Sequence, residues 1–318
     1  MSRTAPNTAS YRLQAEAAAS RIHFTWLGLR RTLTVAQKEE AASCFGAEGK
    51  ALSATKILLN TQNKDYMRLS AFRSQIRNFW HASTLPWPEP GIRLLRRPQV
   101  AMFNEQMERF RSEMLDAATR LDAVYPEIKE EARRRLGNLF NSADYPATLH
   151  GMFDVTWDFP NLDVPEYLER LDSALYEEEK RRVQAQFECA IRLAEQAFAE
   201  ELRAMLAHLA ERLEDNADGS PKVWRDSAIL KVRKWFETFK VMDCGSNAAL
   251  AAVVQQAEGV FSAATPTDLR GHSAQKAAFR QEAARLESVL AENIIDGPRR
   301  RIRYEPESPI LREEGVAS

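Results

Sequence analysis

Residues 99–125, QVAMFNEQMERFRSEMLDAATRLDAVY, decide the fold class of this chain. Apolar residues recur along this stretch at intervals of three and four: Phe103, Met107, Phe110, Met114, Ala117, Leu121 and Tyr125. At 3.6 residues per turn, this spacing places the apolar side chains on one face of a helix of about six turns. Pro98 suits the first position of such a helix, and Pro126 predicts its end or a kink.

Helical patterns continue on both sides of this stretch. They predict further helices over 10–20, 35–44, 53–81, 166–215, 222–242, 246–263 and 272–294. Thr34 and Ser53 are suitable N-caps for two of them. The longest signal, in 166–215, comes from Phe187, Ile191, Ala194, Phe198, Leu202, Met205 and Leu209. We therefore expect a mainly α protein, an elongated helical bundle with one long helical arm.

A small β element is expected beside the helices. Apolar and polar residues alternate in 22–26 (IHFTW) and again in 153–157 (FDVTW), which is the pattern of half-buried strands. If these segments pair, they form a sheet of two or three strands on a helical body. Residues 82–98 contain three prolines and Gly91, which predict an extended loop rich in turns.

The composition is that of a globular protein with an uneven distribution of charge. The chain has 318 residues, of which 44% are hydrophobic, and its net charge is −1. Residues 1–100 have a net charge of +9, so the remainder has −10. We predict disordered tails at 1–9 and 298–318, a basic helical region with the β element at 10–165, and the long helix with the C-terminal helices at 166–297.

The cysteine content and the start of the chain bear on the compartment. The three cysteines, Cys44, Cys189 and Cys244, are far apart and form no CxxC pair, which favours free thiols in a reducing compartment. Residues 1–10 lack the apolar region of a secretion signal, and no uninterrupted apolar stretch has the length of a transmembrane helix. These features predict a cytoplasmic protein.

Residues 50–100 carry most of the net positive charge of the first hundred residues. They contain nine Lys or Arg and two Asp or Glu, a net charge of +7, with aromatic residues between them. Basic and aromatic side chains together suit a polyanion with flat bases, and single-stranded DNA is the most concrete candidate. The residues assigned to phosphates are Lys64, Arg68, Arg77, Arg93, Arg96 and Arg97, and those assigned to base stacking are Tyr66 and Trp87.

The arrangement of these cations leaves an alternative open. On the predicted 53–81 helix, we expect Lys64, Arg68 and Arg77 to share one side and Arg73 to lie opposite. The arginines after the prolines can bind phosphate in a bidentate manner. The alternative is that the charges are solvated, or paired with carboxylates of the same chain.

No pattern of catalytic or metal-binding residues is present. The phosphate-binding, dinucleotide-binding, zinc-protease and serine-hydrolase motifs are all missing. The five histidines lack partners at metal-ligand spacing. Asp154, Asp158 and Asp163 could form an acidic cluster for Mg²⁺, but solvent-facing acids opposite a buried apolar face are the favoured interpretation. We therefore expect no enzyme activity, no cofactor and no bound metal.

Several segments together resemble an uncharacterised family of tailed-phage and prophage proteins. They are TLPWPEPGIRLL (84–95), FNEQMERFRSEM (103–114), ARRRLGNLFNSADYP (132–146) and MFDVTWDF (152–159), with TKILLN (55–60) upstream and WRDSAILKVRKW (224–235) downstream. The resemblance covers about residues 20–240. It implies a phage or mobile-element origin and supplies no catalytic residue.

Two functional hypotheses follow from these observations. The first is a non-enzymatic phage-type protein that binds nucleic acid through residues 50–100. The second is a structural or assembly protein that associates with itself, or with another phage protein, through the long helix at Phe187, Ile191 and Phe198.

Overall fold

The structure, a computed structural model, describes residues 8–213, 227–243, 247–263 and 273–293. It is mostly helical with a small antiparallel sheet, which confirms the predicted class. The contacts between residues divide the chain into two units. Among the described residues, the first unit comprises 8–194 with 240–243, and the second comprises 195–213, 227–239, 247–263 and 273–293.

The helices of the first unit agree with most of the predicted positions. They are α1 (Thr8–Glu16), α2 (Val35–Ser43), α3 (Lys64–Ser83), α4 (Val100–Ala123), α5 (Tyr125–Leu136), α6 (Tyr167–Leu171) and α7 (Ser173–Arg212), the last of which continues into the second unit. Thr34 caps α2 in a capping box with Gln37. Because α1 begins at Thr8, the last two residues of the predicted N-terminal tail are helical, and residues 1–7 lie outside the described range.

Helix α3 begins eleven residues later than the predicted start at Ser53. Its N-cap is Asn63, whose side-chain oxygen accepts hydrogen bonds from the backbone N–H groups of Asp65 and Tyr66. Residues Thr55–Ile57 form a short strand instead of the first turn of this helix.

Six short strands form two antiparallel sheets in the described part of the first unit. They are β1 (Ala17–Trp26), β2 (Arg30–Thr32), β3 (Thr55–Ile57), β4 (Leu85–Pro86), β5 (Arg93–Arg96) and β6 (Phe153–Asp158). The main sheet has the order β4-β5-β1-β6, while β2 and β3 form a separate ribbon. The predicted pairing of 22–26 with 153–157 is confirmed, with Phe24 opposite Val155.

The sheet is larger than predicted because it includes two segments for which the sequence predicts a helix and a loop. Residues 17–20 were expected to be helical, but they pair with Arg93–Arg96 of the expected loop. The ladder hydrogen bonds outweigh the helix propensity of three alanines, a propensity worth only tenths of a kcal/mol per residue. Gly91, with φ +83°, provides the left-handed turn that lets β5 return along β4.

The apolar stripe of α4 forms the centre of the first unit's core. Phe103, Met107, Met114, Ala117, Leu121 and Tyr125 are all buried, and Phe110 is half-buried. Helix α4 packs against α3 and against β6, where Phe153 and Val155 are fully buried. This confirms the interpretation of the stripe as core.

A second layer covers the opposite face of the sheet near β5. Ala19 and Leu94 are paired across the strands and are buried. Leu95, the next residue along β5, points to the other face of the sheet and belongs to the α4 core. This second layer contains Trp87 and Phe187 of α7, whose rings meet edge to face at 4.9 Å. The β1–β5 end of the sheet is therefore buried on both faces.

The described secondary structure of the second unit consists of helices. It contains α7 from residue 195, α8 (Ser227–Met242) to residue 239, α9 (Ala248–Ala263) and α10 (Ser273–Asn293). Phe236, Phe261 and Leu286 are among the buried side chains of its core, and Trp235 donates its indole N–H to Glu201 at 3.0 Å. The predicted tail at 298–318 lies outside the described residues. No helix among the described residues has the length and apolarity needed to cross a membrane.

Candidate nucleic-acid interface

The arginines that follow the prolines have partners within the protein. Arg93 Nε donates to Thr84 Oγ1 at 2.7 Å, and its Nη2 donates to the Thr84 carbonyl oxygen at 2.8 Å. Burial lowers the pKa of this guanidinium. Arg96 forms an ion pair with Glu16 at 3.0 Å, and exposed Arg97 donates to the carbonyl oxygen of Ala17 at 3.2 Å. These contacts do not support the predicted role of the three arginines in binding external phosphate.

The two aromatic residues assigned to base stacking are buried. Tyr66 is 9% exposed and Trp87 is 6% exposed. Tyr66 belongs to the α4 core, and Trp87 packs on Phe187 on the other side of the sheet. A base has no access to either ring in this structure, so the stacking assignment is corrected. Trp87 anchors the turn between β4 and β5 instead.

One lysine that was counted in the basic segment forms a buried ion pair. Lys56 Nζ lies 2.6 Å from Asp144 Oδ2 and donates to the carbonyl oxygen of Leu139, also at 2.6 Å. The Lys56 side chain is 6% exposed. This pair joins β3 to the turn Ser142–Asp144, next to the buried ring of Tyr145. No sequence pattern indicates this pairing, because the partners are far apart along the chain.

The cations of α3 remain on the surface, but they occupy two sides of the helix. Lys64, Arg68 and Arg77 are exposed, and no ion pair involves them in the described ranges. Arg68 and Arg77 are nine residues apart, which is about 180° at 100° per residue. Arg77 therefore lies on the side of Arg73, four residues earlier, and not with Lys64 and Arg68 as predicted.

Arg73 and Arg77 lie over two aromatic rings of β1. The guanidinium carbon of Arg73 is 4.6 Å from the ring centroid of Trp26 and 5.4 Å from that of Phe24. The Arg77 guanidinium carbon is 5.7 Å from the Phe24 centroid. Both rings are half-buried. We call these four residues the β1–α3 seam. The alternation of residues 22–26 predicted the strand, but it did not predict which cations would cover the rings.

The electrostatics of this region show an excess of positive charge. Burial lowers the pKa of Arg73, and the neighbouring Arg77 lowers it further. His81, one turn beyond Arg77, also has a lowered pKa, first because of burial and then because of Arg93 and Arg77. Arg73 Nε is buried and has no hydrogen-bond partner among the described residues.

The carboxylates of β6 are neutralised by arginines. Arg21 makes a bidentate contact with Asp158. Arg111 of α4 makes a bidentate contact with Asp154, in which both N–O distances are 2.9 Å. These hydrogen bonds lower the pKa of both aspartates. In the described ranges, no group of three or more His, Cys, Asp or Glu is placed to hold a metal ion. The arrangement agrees with the interpretation of Asp154 and Asp158 as ordinary surface acids. It adds that each is paired with an arginine.

Helix α3 thus presents basic side chains on two sides, one at the seam and the other at Lys64 and Arg68. Guanidinium groups beside aromatic rings suit phosphates and the flat faces of bases. Comparison of the chain with models of known protein families, with curated proteins and with solved structures finds no match.

Proposed function

We propose that this protein binds single-stranded nucleic acid, without catalysis, through the basic surface of α3 and β1. The observation that carries the proposal is the set of cations on α3 that have no carboxylate partner in the described residues: Lys64, Arg68, Arg73 and Arg77. In this proposal the protein is cytoplasmic and of phage or prophage type. We also propose that the whole chain forms an elongated helical bundle with a helical arm.

Phosphate neutralisation would provide most of the affinity. Each lysine or arginine that contacts a phosphate releases condensed counterions, so the affinity falls as salt rises. For single strands, the slope of log affinity against log salt is about −0.7 for each contact. Four contacts would give a slope of about −3.

A salt titration with a fluorescently labelled oligothymidylate tests this proposal. The full chain should bind at low salt with a slope of about −3, measured by fluorescence anisotropy. The double variant Lys64→Gln/Arg68→Gln should flatten the slope by about 1.4. The matched control is Arg109→Gln/Arg120→Gln, which removes the same charge from exposed positions of α4 and should leave the slope unchanged. Failure of the wild-type chain to bind at low salt would exclude the function.

The alternative function, an assembly protein, needs a different surface from the predicted one. Phe187 and Ile191 are 3% and 2% exposed, and Phe198 packs against the core of the second unit, so this stripe is not available to another chain. The observation that favours assembly is a group of exposed apolar side chains, Tyr167 and Leu171 of α6 and Leu175 of α7.

Light scattering distinguishes the assembly hypothesis from the first. An oligomer that is insensitive to salt, and that becomes monomeric in Leu171→Glu/Leu175→Glu, would support assembly through these residues. Phe45 is 86% exposed and provides the control, since Phe45→Glu adds a charge at a comparably exposed apolar position. A wild-type chain that is monomeric at high concentration would rule out self-association.

A further inference from the structure

The β1–α3 seam contains two like charges that are held close together. Arg73 and Arg77 are one helical turn apart, and both lie within 6 Å of the Phe24 ring centroid. Arginine side chains normally separate into solvent, because repulsion and loss of hydration both disfavour such a pair. The rings of Phe24 and Trp26 offset these costs through cation–π contacts.

This pair lacks the anionic partners that three arginines on or beside the main sheet have. Arg21, Arg96 and Arg111 each contact an Asp or Glu within 3.0 Å. No ion pair of Arg73 or Arg77 occurs in the ranges that the structure describes, and the Nε of Arg73 is buried without an acceptor. A buried donor without an acceptor is unfavourable, so the Arg73 guanidinium gains from an anion that binds beside it.

The planar guanidinium of Arg77 is also accessible to a ligand, because the residue is exposed. Its contact with the Phe24 ring restricts the side chain, so less rotamer entropy remains to be lost when a ligand binds. Bases of single strands stack on arginine planes in this way, whereas bases in a duplex are already stacked on each other.

We propose that the β1–α3 seam is a subsite for one nucleotide of a single strand, in which Arg73 and Arg77 hold a phosphate and the next base stacks on the Arg77 guanidinium. This inference rests on the proposed function and names the residues that contact one nucleotide. It also moves the stacking contact from Tyr66 and Trp87 to Arg77, which was predicted to contact phosphate. Phe24 and Trp26 serve as positioning residues beneath the cations.

Two conservative substitutions separate stacking from charge. Arg77→Lys keeps the charge but loses the plane, so affinity for a labelled oligothymidylate should fall about five- to tenfold while the salt slope stays unchanged. Arg120→Lys, at an exposed position of α4 outside the proposed binding surface, is the control, and its affinity should remain that of the wild type. Phe24→Leu keeps all charges and most of the apolar volume, and we expect it to reproduce the loss seen in Arg77→Lys.

The results separate this inference from the proposed function. If Arg77→Lys and Phe24→Leu fold and bind like the wild type, the seam is not the subsite, although binding through α3 stands. If a hairpin duplex of equal length competes as well as oligothymidylate, the assignment to single strands is wrong. If the wild-type chain binds no oligonucleotide at low salt, the proposed function fails and the subsite fails with it.

Discussion

The arginines of β5 and those of the β1–α3 seam differ in the groups that contact their guanidinium groups. Arg93 and Arg96 satisfy their donors with Thr84, backbone carbonyl groups and Glu16, and they hold the sheet together. Arg73 and Arg77 have aromatic rings beneath them and no carboxylate partner among the described residues. The number of basic residues in a segment therefore does not determine how many of them are available to a ligand.

The largest effect should come from breaking the buried pair Lys56–Asp144. In Asp144→Asn, Lys56 keeps a buried charge without its counter-charge, and the free energy of unfolding should fall by about 3–5 kcal/mol. Urea denaturation followed by circular dichroism measures this loss.

The double variant Lys56→Met/Asp144→Leu is the control for this pair. Removal of both charges should restore much of the lost stability, since the buried pair is replaced by apolar contacts. A loss below about 1 kcal/mol in Asp144→Asn would show that the pair is effectively solvated.

Removal of the compensated Arg93 should have the next largest effect. Arg93→Met leaves Thr84, which is 3% exposed, without the donor to its hydroxyl and carbonyl oxygens. We expect a loss of about 2 kcal/mol in the free energy of unfolding. Arg97→Met is the control, because its guanidinium is exposed and makes a single contact, and it should change stability by less than about 0.5 kcal/mol.

Removal of the uncompensated Arg73 should change stability little. Arg73→Met loses cation–π contacts worth about 0.5–1 kcal/mol each, but it also removes a partly buried donor and a like-charge repulsion of similar size. The expected net change is within about 0.5 kcal/mol by the same denaturation experiment. A loss as large as that of Arg93→Met would indicate that Arg73 is a structural residue. The two arginines would then not differ in their contribution to stability.

The smallest effect concerns the surface pair Arg111–Asp154. The hydrogen bonds from Arg111 lower the pKa of Asp154 in the folded state below its value in the unfolded state. The pair therefore contributes stability above about pH 4, and this contribution is lost as the pH falls through the folded-state pKa. Asp154→Asn should reduce the acid-induced loss of stability below pH 4. Identical pH profiles for the variant and the wild type would exclude this contribution.

Regular local patterns made much of the fold predictable. The stripe of α4, the cap at Thr34 and the pairing of 22–26 with 153–157 depend on nearby residues or on a clear alternation, and all three occur as expected. The pairing of Ala17–Ser20 with β5 was missed because alanine favours helix and because the neighbouring prolines suggested a loop.

The candidate site was less predictable than the fold. Whether Arg93 is free to bind a ligand depends on its contact with Thr84, and the same holds for Lys56 and its pair with Asp144. No periodicity in the sequence links the members of these pairs. The seam also requires that the side of α3 carrying Arg73 faces β1, which depends on how α3 packs in the folded chain. Neither sequence distance nor net charge reveals the partners of Arg93 and Lys56 or the packing of α3 on β1.

The position of β1 in the middle of its sheet affects the order in which the chain can fold during synthesis. Its two neighbours are residues 93–96 and 153–158, both of which emerge from the ribosome much later than residues 17–26. Until then, Ala17, Ala18 and Ala19 have no ladder partner, and their propensity favours continuing α1 as a longer helix. We therefore expect a nascent fragment that ends before β5 to be helical at 17–20, and this segment to convert to strand only after β5 has been made.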